Sequence, residues 1–394
     1  MQDFLIIGGG IAGISAAARL SHLGSVTLLE AEPVLGHHAS GRSAALFEPR
    51  YGLAPVVALS LASEAHHRHA DGGVLSPRGM MIVARADEAE IFAEDVEVMA
   101  LERITPAEAQ AIVPILNLKA VALAAVADHA WDIDTDRLIQ NFLREARGHG
   151  ARILTDARVT GIARDARVTG IARDAQVTGI TRDARVTGIA RDARVTGIAR
   201  DAGGWTVTSA AGSHSGRVLV NAAGAWVDGI ARMAGVQPLG HQPHRRSMAR
   251  IPAPGGHDLG RWPMIFGAGE GWYCKPDAGA LIVSPAEEHP MGPHDAWADE
   301  MVLAEGLARY EAMVTEPVTR VIANWAGLRT FAPDRVPVIG RDPRVPDFFW
   351  LAGQGGYGFQ TAPAASQLAA DLIAGRAPAL DAATVAALSP ARFG

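Results

Sequence analysis

Asp3-Phe4-Leu5-Ile6-Ile7 is a short unbroken apolar run, and Gly8-Gly9-Gly10-Ile11-Ala12-Gly13 follows it directly, leading into an alanine-rich segment that reads as a helix to about Leu23. A run of this length without alternation is expected of a central parallel strand covered on both faces. Strand, glycine turn and helix stand in the order a dinucleotide phosphate site needs. Gly8 permits the tight turn, Gly10 lets the backbone approach a pyrophosphate, and Gly13 allows close helix–strand packing. Ile11 and Ala12 begin the helix, whose free N–H groups and positive dipole end favour phosphate. Ser25-Val26-Thr27-Leu28-Leu29 then makes a second strand, with Glu30 at its end and Ala31 after it. A carboxylate there accepts hydrogen bonds from an adenosine ribose and repels a 2′-phosphate.

At 394 residues the chain has room for two domains of ordinary size. Its 36 Lys+Arg against 42 Asp+Glu give a net charge of −6, which argues against nucleic acid as the main partner. One cysteine, Cys274, excludes a disulfide framework and any multi-cysteine metal or iron–sulfur site, and fits a reducing cytoplasm. The most apolar stretch, Phe4 to Leu20, is too short and glycine-rich for a membrane span, and no cationic segment precedes it as in a secretory signal. No integral membrane segment is expected; peripheral association stays open. His66, His67 and His69 suggest a metal cluster, but neighbours on a helix point apart, so a solvated face and no metal are expected.

A tandem repeat interrupts this ordinary composition: DARVTGIAR recurs with period nine over residues 156–200, five copies in which only Gln176 and Thr181 deviate. Nine residues make about two and a half helical turns, so the valines and isoleucines cannot hold one helix face. Val-Thr-Gly-Ile followed by Arg-Asp-Ala-Arg reads as a short strand and turn. The extra copies are expected as outlying hairpins, tolerated because longer loops add little closure entropy.

Three further segments bear on the cofactor. Ser40, Arg42, Ser43 and Ala44 in His37–Ala45 follow Glu30 closely enough to close over the same pyrophosphate. Val218-Leu219-Val220-Asn221 reads as a buried strand that ends in Ala222-Ala223-Gly224-Ala225-Trp226. Phe348 to Ala352 reads as a strand, Gly353-Gln354-Gly355-Gly356-Tyr357-Gly358 as a glycine loop, and Phe359-Gln360-Thr361 as the start of a helix reaching about Ala374. That second loop can set a helix N-terminus against an anionic reduced isoalloxazine.

Together these segments resemble the FAD-dependent D-amino acid oxidase superfamily over nearly the whole chain outside the repeat. The resemblance is strongest to the D-arginine dehydrogenase and D-amino acid dehydrogenase group, carried by Ser40–Ala45, Leu75-Ser-Pro-Arg78, Asp132-Ile-Asp-Thr-Asp136, Asn221–Trp226, Arg245-Arg246-Ser247, Tyr273-x-Lys275-Pro-Asp-Ala-Gly279, Trp325-Ala-Gly-Leu-Arg329 and Gln354–Gly358. It implies an α/β fold: a discontinuous Rossmann-type, glutathione-reductase-like FAD domain of residues 1–77, 132–230 and 325–394. Residues 78–131 and 231–324 would be an inserted α+β substrate domain on an antiparallel sheet. Within the FAD domain, Asp134 or Thr135 can cap a helix to about His149, with Leu138, Phe142 and Ala146 as its apolar stripe. Val159 or its counterpart in another copy would pass its backbone by the adenine. Cys274 lies where some relatives tether flavin, but the surrounding sequence does not match, and His37-His38 precede the position expected for a histidyl tether, so noncovalent FAD is expected.

The chemistry implied is oxidative deamination of a D-amino acid by hydride transfer from Cα to flavin N5, giving an imino acid that hydrolyses to a 2-oxo acid. Such a site must hold a carboxylate, keep the amine neutral and exclude water. Arg246 and Arg329 offer guanidinium forks, and Tyr51 and Tyr273 phenolic donors, at matching positions. Gly356 adjoins the same pocket. Where the group carries an acidic residue for a substrate guanidinium stands Met80; Leu46 and Glu48 replace a histidine and a threonine, and Phe359 a smaller aliphatic residue. A thioether cannot compensate a buried cation, so neutral or apolar D-amino acids are expected. Glu48 reads first as a loop surface charge, though turned inward it could meet an ammonium. Alternatives are a glycine- or sarcosine-type secondary-amine oxidase, a 2-hydroxy acid flavoprotein and a noncatalytic FAD-binding scaffold. The electron acceptor, whether oxygen, quinone or another carrier, is not fixed by any motif.

Overall fold

The computed structural model describes residues 1–164 and 204–394. The opening apolar run forms the strand Gln2–Ile7, whose last four residues are buried, and it lies at the centre of an eight-stranded sheet. Val26–Leu29 and then Arg152–Leu154 follow on one side in parallel, and Gly212–Asn221 and then Phe348–Ala352 on the other. Sequential strands run outward from Gln2–Ile7 before the chain switches sides, which opens a crevice at the strand ends beside Ile7 and Asn221. Val159–Arg164 and Trp205–Ser209 extend the sheet antiparallel from the first half of Gly212–Asn221, and Val338–Arg341 pairs with Phe348–Ala352.

Helix Ile11–Ser21 begins straight after the glycine turn and packs against helices Thr135–Gly148 and Gly358–Ala374. Asp134 caps the second of these by accepting from Arg137 N (2.9 Å), and Leu138, Phe142 and Ala146 are its buried stripe. Small side chains allow the close packing: Ala16, Ala17 and Ala18 are fully buried. Each fully buried alanine or larger apolar residue contributes through area removed from water, at about 25 cal/mol per Å².

A second, nine-stranded sheet is antiparallel throughout except where Met264–Gly267 pairs in parallel with Met80–Ala84. Its other strands include Leu123–Ala127, Gln242–Pro252, Tyr273–Asp277 and Ala280–Ser284. A three-stranded sheet of Leu46–Phe47, Trp131–Ile133 and Leu75–Pro77 joins the two regions. Ala323–Phe331, which the sequence reading assigns mostly to the FAD domain, pairs along Gln242–Pro252 and so belongs to the nine-stranded sheet.

The first repeat copy supplies the expected strand, Val159–Arg164, with Arg164 opposite Trp205. The hairpin stack expected of the later copies lies outside the described residues. The expected solvated histidine face is corrected: His67 is fully buried, because it continues the inward stripe Val56, Leu59, Ser60 and Ser63 of helix Ala54–His69. Its Nε2 meets the Gln360 carbonyl at 3.0 Å, and burial pushes its imidazole down to about 4, so it is neutral. His66 is half-buried and stacks on Phe142; His69 is exposed.

Candidate cofactor and substrate site

Three cavities lie end to end where the two large sheets meet. The first, about 340 Å³, sits over the strand ends at the switch point and is lined by Gly8, Gly10, Glu30, Ala31, Val159, Ala223, Gly224 and Trp226. Gly8 has φ +109°, and a Cβ on it would lie 2.4 Å from the Ala222 carbonyl oxygen. Gly13 lines none of these three cavities; a Cβ there would strike the Gly8 carbonyl oxygen, which is the close helix–strand packing read from the sequence. Gly10 borders both this cavity and the next, and a Cβ on it meets only Ser40 Oγ, at 3.2 Å, so a side chain would project into the passage between them. Glu30 is 9% exposed and accepts from Gly9 N (2.5 Å) and Glu32 N (2.9 Å). A carboxylate has about four acceptor sites, so two remain for hydroxyl groups.

The second cavity, about 130 Å³, runs past the N-terminus of helix Ile11–Ser21 and is lined by Ile11, Ala12, Ser40, Arg42, Ser43, Ala44, Arg329, Gly355, Gly356, Gly358 and Phe359. That helix has no acidic residue in its first turn, leaving its positive end uncompensated for an anion. Ser40 Oγ accepts from Ile11 N (3.0 Å), fixing the loop over the helix end. Arg42 lines both cavities, but its guanidinium donates to Ala296 O, Ala326 O and Asp295 (2.8, 2.9 and 2.5 Å). It therefore ties the loop to the nine-stranded side. The glycine loop owes its composition to protein contacts: a Cβ on Gly355 would overlap the Phe331 ring, and one on Gly356 would lie 3.0 Å from the Arg329 guanidinium carbon. Gly353 and Tyr357 line none of the three cavities; Tyr357 packs against Tyr51 at 5.4 Å between ring centres. This elongated space, with an acid at one end, an open glycine at the constriction and an uncompensated helix end, fits an extended dinucleotide.

The third cavity, about 70 Å³, shares Ser43, Ala44, Arg246, Arg329, Gly356 and Phe359 with the second. Tyr51, Tyr273, Met80, Leu46, Glu48 and Gln360 also line it. Arg246 is 3% exposed; its Nη2 donates to Glu288 (3.1 Å), while Nε and Nη1 are buried with no hydrogen-bond partner among the described residues. The Tyr273 hydroxyl is likewise buried and unpartnered. Burial works against the charge of Arg329, but Tyr273, Tyr51, Glu270 and Glu288 around it outweigh that and keep it cationic. Burial, with Glu270 beside it, pushes the Tyr51 phenol far above its ordinary range, so it remains a donor. The four residues expected to hold a carboxylate thus meet at one cavity.

The reading of Glu48 as a surface charge is overturned: it is 3% exposed, because its loop turns inward beneath the Gln360 side chain. His129 Nδ1 meets its Oε2 at 2.8 Å. Sequence reasoning missed His129, Glu270 and Glu288, which come from distant segments without a motif of their own. It also missed the apolar lining from Met99, Met264 and Phe266. Cys274 is 1% exposed within an apolar cluster with Trp272 and Tyr310, and lines none of the cavities. Lys275 instead reaches back to Ala44 O (2.5 Å) and Asp132 (2.9 Å), which also receives Arg78. Among the described residues, Glu32, His37 and His38 place one ligand-type atom each within 4.8 Å of one another, beside Arg158, which donates to Glu32.

Comparison with known proteins agrees with this architecture. The chain overlays glycine oxidase from Geobacillus kaustophilus with a TM-score of 0.75 at 21% identity, covering 98% of each chain. It overlays FAD-bound L-alpha-glycerophosphate oxidase from Mycoplasma pneumoniae with a TM-score of 0.75 at 18% identity, covering 95% of this chain and 94% of that one. At such identities the fold is what is shared. D-amino acid dehydrogenase 2 of Ralstonia nicotianae is 49% identical over 65 residues, 16% of this chain and 15% of that protein. A tRNA 5-methylaminomethyl-2-thiouridine biosynthesis bifunctional protein of Thiobacillus denitrificans is 32% identical over 129 residues, 31% of this chain; the match spans only 21% of its length. The FAD dependent oxidoreductase family matches residues 3–190 and 174–372, two stretches whose overlap falls inside the nonapeptide repeat. With matches on both sides of the repeat and cavities fitted to FAD, the chain belongs to the FAD dependent oxidoreductase (DAO) family.

Proposed function

We propose that the protein oxidises a neutral D-amino acid to its imino acid, which water converts to a 2-oxo acid. The observation that carries this reading is the pair of unpartnered groups on the third cavity, Arg246 Nε and Nη1 with the Tyr273 hydroxyl, beside the cationic Arg329. Buried donors without partners are costly unless a ligand satisfies them. A carboxylate suits two guanidinium forks and a phenol.

FAD, when bound, supplies the two-electron acceptor for the substrate's α-hydride. In this reading it lies noncovalently along the first two cavities, with the residues that line them as its contacts, and Gly356 and Phe359 between cofactor and substrate. Arg246 and Arg329 hold the carboxylate, and Tyr51 and Tyr273 donate to it. Met80, Leu46, Met99, Met264 and Phe266 surround the substrate side chain with apolar surface and exclude water. A neutral side chain gains from that burial, whereas a guanidinium loses its hydration there. The partial likeness to D-amino acid dehydrogenase 2 supports the choice of a D-amino acid. The domain boundaries at 77/78, 131/132 and 230/231 stay part of this proposal, with the last moved beyond Phe331 because Ala323–Phe331 pairs with Gln242–Pro252, as does a cytoplasmic setting for the single cysteine. No helix among the described residues is long and apolar enough to cross a membrane.

The test is anaerobic mixing of purified holoprotein with D- and L-amino acids, sarcosine and 2-hydroxy acids while the flavin absorbance is followed. Bleaching by neutral D-amino acids is the expected result. Bleaching by sarcosine or hydroxy acids alone overturns the reading, and so does no bleaching by any of them.

A further inference from the structure

We propose that Glu48 accepts the proton of the substrate's ammonium group and that His129 passes that proton to solvent. The inference rests on the proposed amino acid oxidation and adds to it the step that reaction requires first. An ammonium nitrogen has no lone pair to assist departure of the α-hydride, so the bound amino acid must lose a proton before it can be oxidised.

The cavity that holds the two arginines has Glu48 on its wall, so it presents opposite charges as a zwitterion does. The Glu48 carboxylate is fixed from both ends, with Oε1 accepting from Arg50 N (2.9 Å) and Oε2 meeting His129 Nδ1 at 2.8 Å. His129 is the exit: its side chain is 24% exposed against 4% for Glu48, and its Nε2 lies toward the Ala100 carbonyl at 3.5 Å, too long for a firm bond. Proton flow balances at each step. The ammonium N–H bond breaks and a Glu48 O–H bond forms; Glu48 gives a proton to Nδ1 of the neutral Nε2–H imidazole of His129; the imidazolium releases its Nε2 proton to water, and proton exchange with solvent restores the Nε2–H tautomer before the next turnover.

Burial makes Glu48 a stronger proton acceptor than an exposed glutamate. Burial raises the Glu48 carboxyl above the ordinary glutamate range, against the lowering effect of the Arg50 backbone bond, His129 and the Arg50 charge. Burial lowers His129, but the Glu48 charge and hydrogen bond outweigh it and raise it overall. The other charged and titratable groups on this cavity are Arg246, Arg329, Glu270, Tyr51 and Tyr273. Glu270 keeps company with the Tyr51 phenol and Arg329. Glu48, unlike the half-exposed Glu270, is buried and joined to a more exposed titratable neighbour, His129.

The test compares kcat/KM against pH for wild-type holoprotein, Glu48→Gln, Glu48→Asp and His129→Ala, using the D-amino acid that bleaches the flavin best. Glu48→Gln should lose about 100-fold at neutral pH and recover in alkali, where the free substrate amine is already neutral. Glu48→Asp, which keeps a carboxylate, should retain the wild-type pH threshold at a lower rate. His129→Ala should slow turnover, and added imidazole should restore it. The dissociation constant for propionate, a carboxylate without an amine, read from the flavin spectrum, should stay within about twofold in Glu48→Gln, because the arginines that hold carboxylate are untouched. An unchanged pH profile in Glu48→Gln overturns the assignment, and absence of imidazole rescue overturns the relay. A change of preference between cationic and neutral substrates at constant pH profile also overturns it and makes Glu48 a side-chain contact. Wild-type protein unreactive toward every amino acid overturns the proposed function and this assignment together, whereas a reactive wild type with an unaltered Glu48→Gln profile overturns this assignment alone.

Discussion

Replacing Arg246 by alanine removes the guanidinium whose Nε and Nη1 are buried and unpartnered on the third cavity. Two hydrogen bonds from a charged donor to a carboxylate, each worth about 1.5–3 kcal/mol net, overlap in a fork, so their joint loss is put at about 2–4 kcal/mol. At about 1.4 kcal/mol per factor of ten, kcat/KM for a D-amino acid should fall roughly 30- to 700-fold. The fold should tolerate the change electrostatically, because Glu288 keeps Arg335 at 2.8 Å when Arg246 is gone. Burial raises the Glu288 carboxyl, but Arg335 and Arg246 outweigh that and hold it low overall, and Arg335 remains in the variant. The assay is steady-state kinetics on protein matched for flavin content, with Arg246→Lys as a second variant. Lysine retains the charge without the planar fork and should fall between wild type and alanine. Wild-type kcat/KM in Arg246→Ala and in Arg329→Ala would show that the carboxylate is held elsewhere and refute the reasoning.

Met80→Glu should shift kcat/KM toward D-arginine and D-lysine, measured against D-methionine, by placing a carboxylate on the apolar wall; unchanged preference would mean that Met80 does not meet the substrate side chain. Acid precipitation should release intact FAD into the supernatant, and Gly10→Leu should yield colourless protein, since a side chain there projects into the passage between the first two cavities. Deleting residues 165–200 should leave flavin content and kcat within about twofold, because the first copy already pairs with Trp205–Ser209 and Asp201–Gly204 can close a short hairpin. Burial raises the Asp228 carboxyl, yet hydrogen bonds from His241 and Gly240 outweigh it and lower it overall, so its stabilisation is present above the ordinary aspartate value of about 4 and is lost as pH falls through the lower folded value. Thermal melts of Asp228→Asn should lie below wild type at neutral pH and converge with it in acid; a constant gap across pH would contradict the assignment.

What the sequence disclosed follows how far each signal reaches along the chain. Gly8, Gly10 and Gly13 act through backbone geometry within one turn, so their spacing is readable in the sequence, and the turn at Gly8, the open space at Gly10 and the close contact at Gly13 are that geometry. The strand Phe348–Ala352 and its glycine loop were legible for the same reason, although Phe331 and Arg329 explain the tightness at Gly355 and Gly356. Pairing across the fold was not legible. Glu48 looks like a loop charge until His129, 81 residues away, is seen to meet it. Ala323–Phe331 carries no mark that its partner is Gln242–Pro252. His67 did carry a signal: it lies four residues after Ser63 and seven after Ser60 on a stripe of small buried side chains. A small-residue stripe is hard to distinguish from a polar face when hydrophobicity alone is counted.

The strand Gly212–Asn221 draws one edge partner from the first residues of the chain and another from Phe348–Ala352, and that spacing sets an order on synthesis. As the protein emerges from the ribosome, one edge of Gln2–Ile7 meets Val26–Leu29 early, while the other waits about two hundred residues for Gly212–Asn221. Leu219 and Val220 then present an unpaired, fully buried-type edge until nearly the whole chain has been made. A chain truncated before Phe348 would keep that edge open, and an open edge of buried-type residues is a pairing site for other strands. Phe348–Ala352 thus covers the Leu219–Asn221 edge, so its protection depends on a segment made more than a hundred residues later.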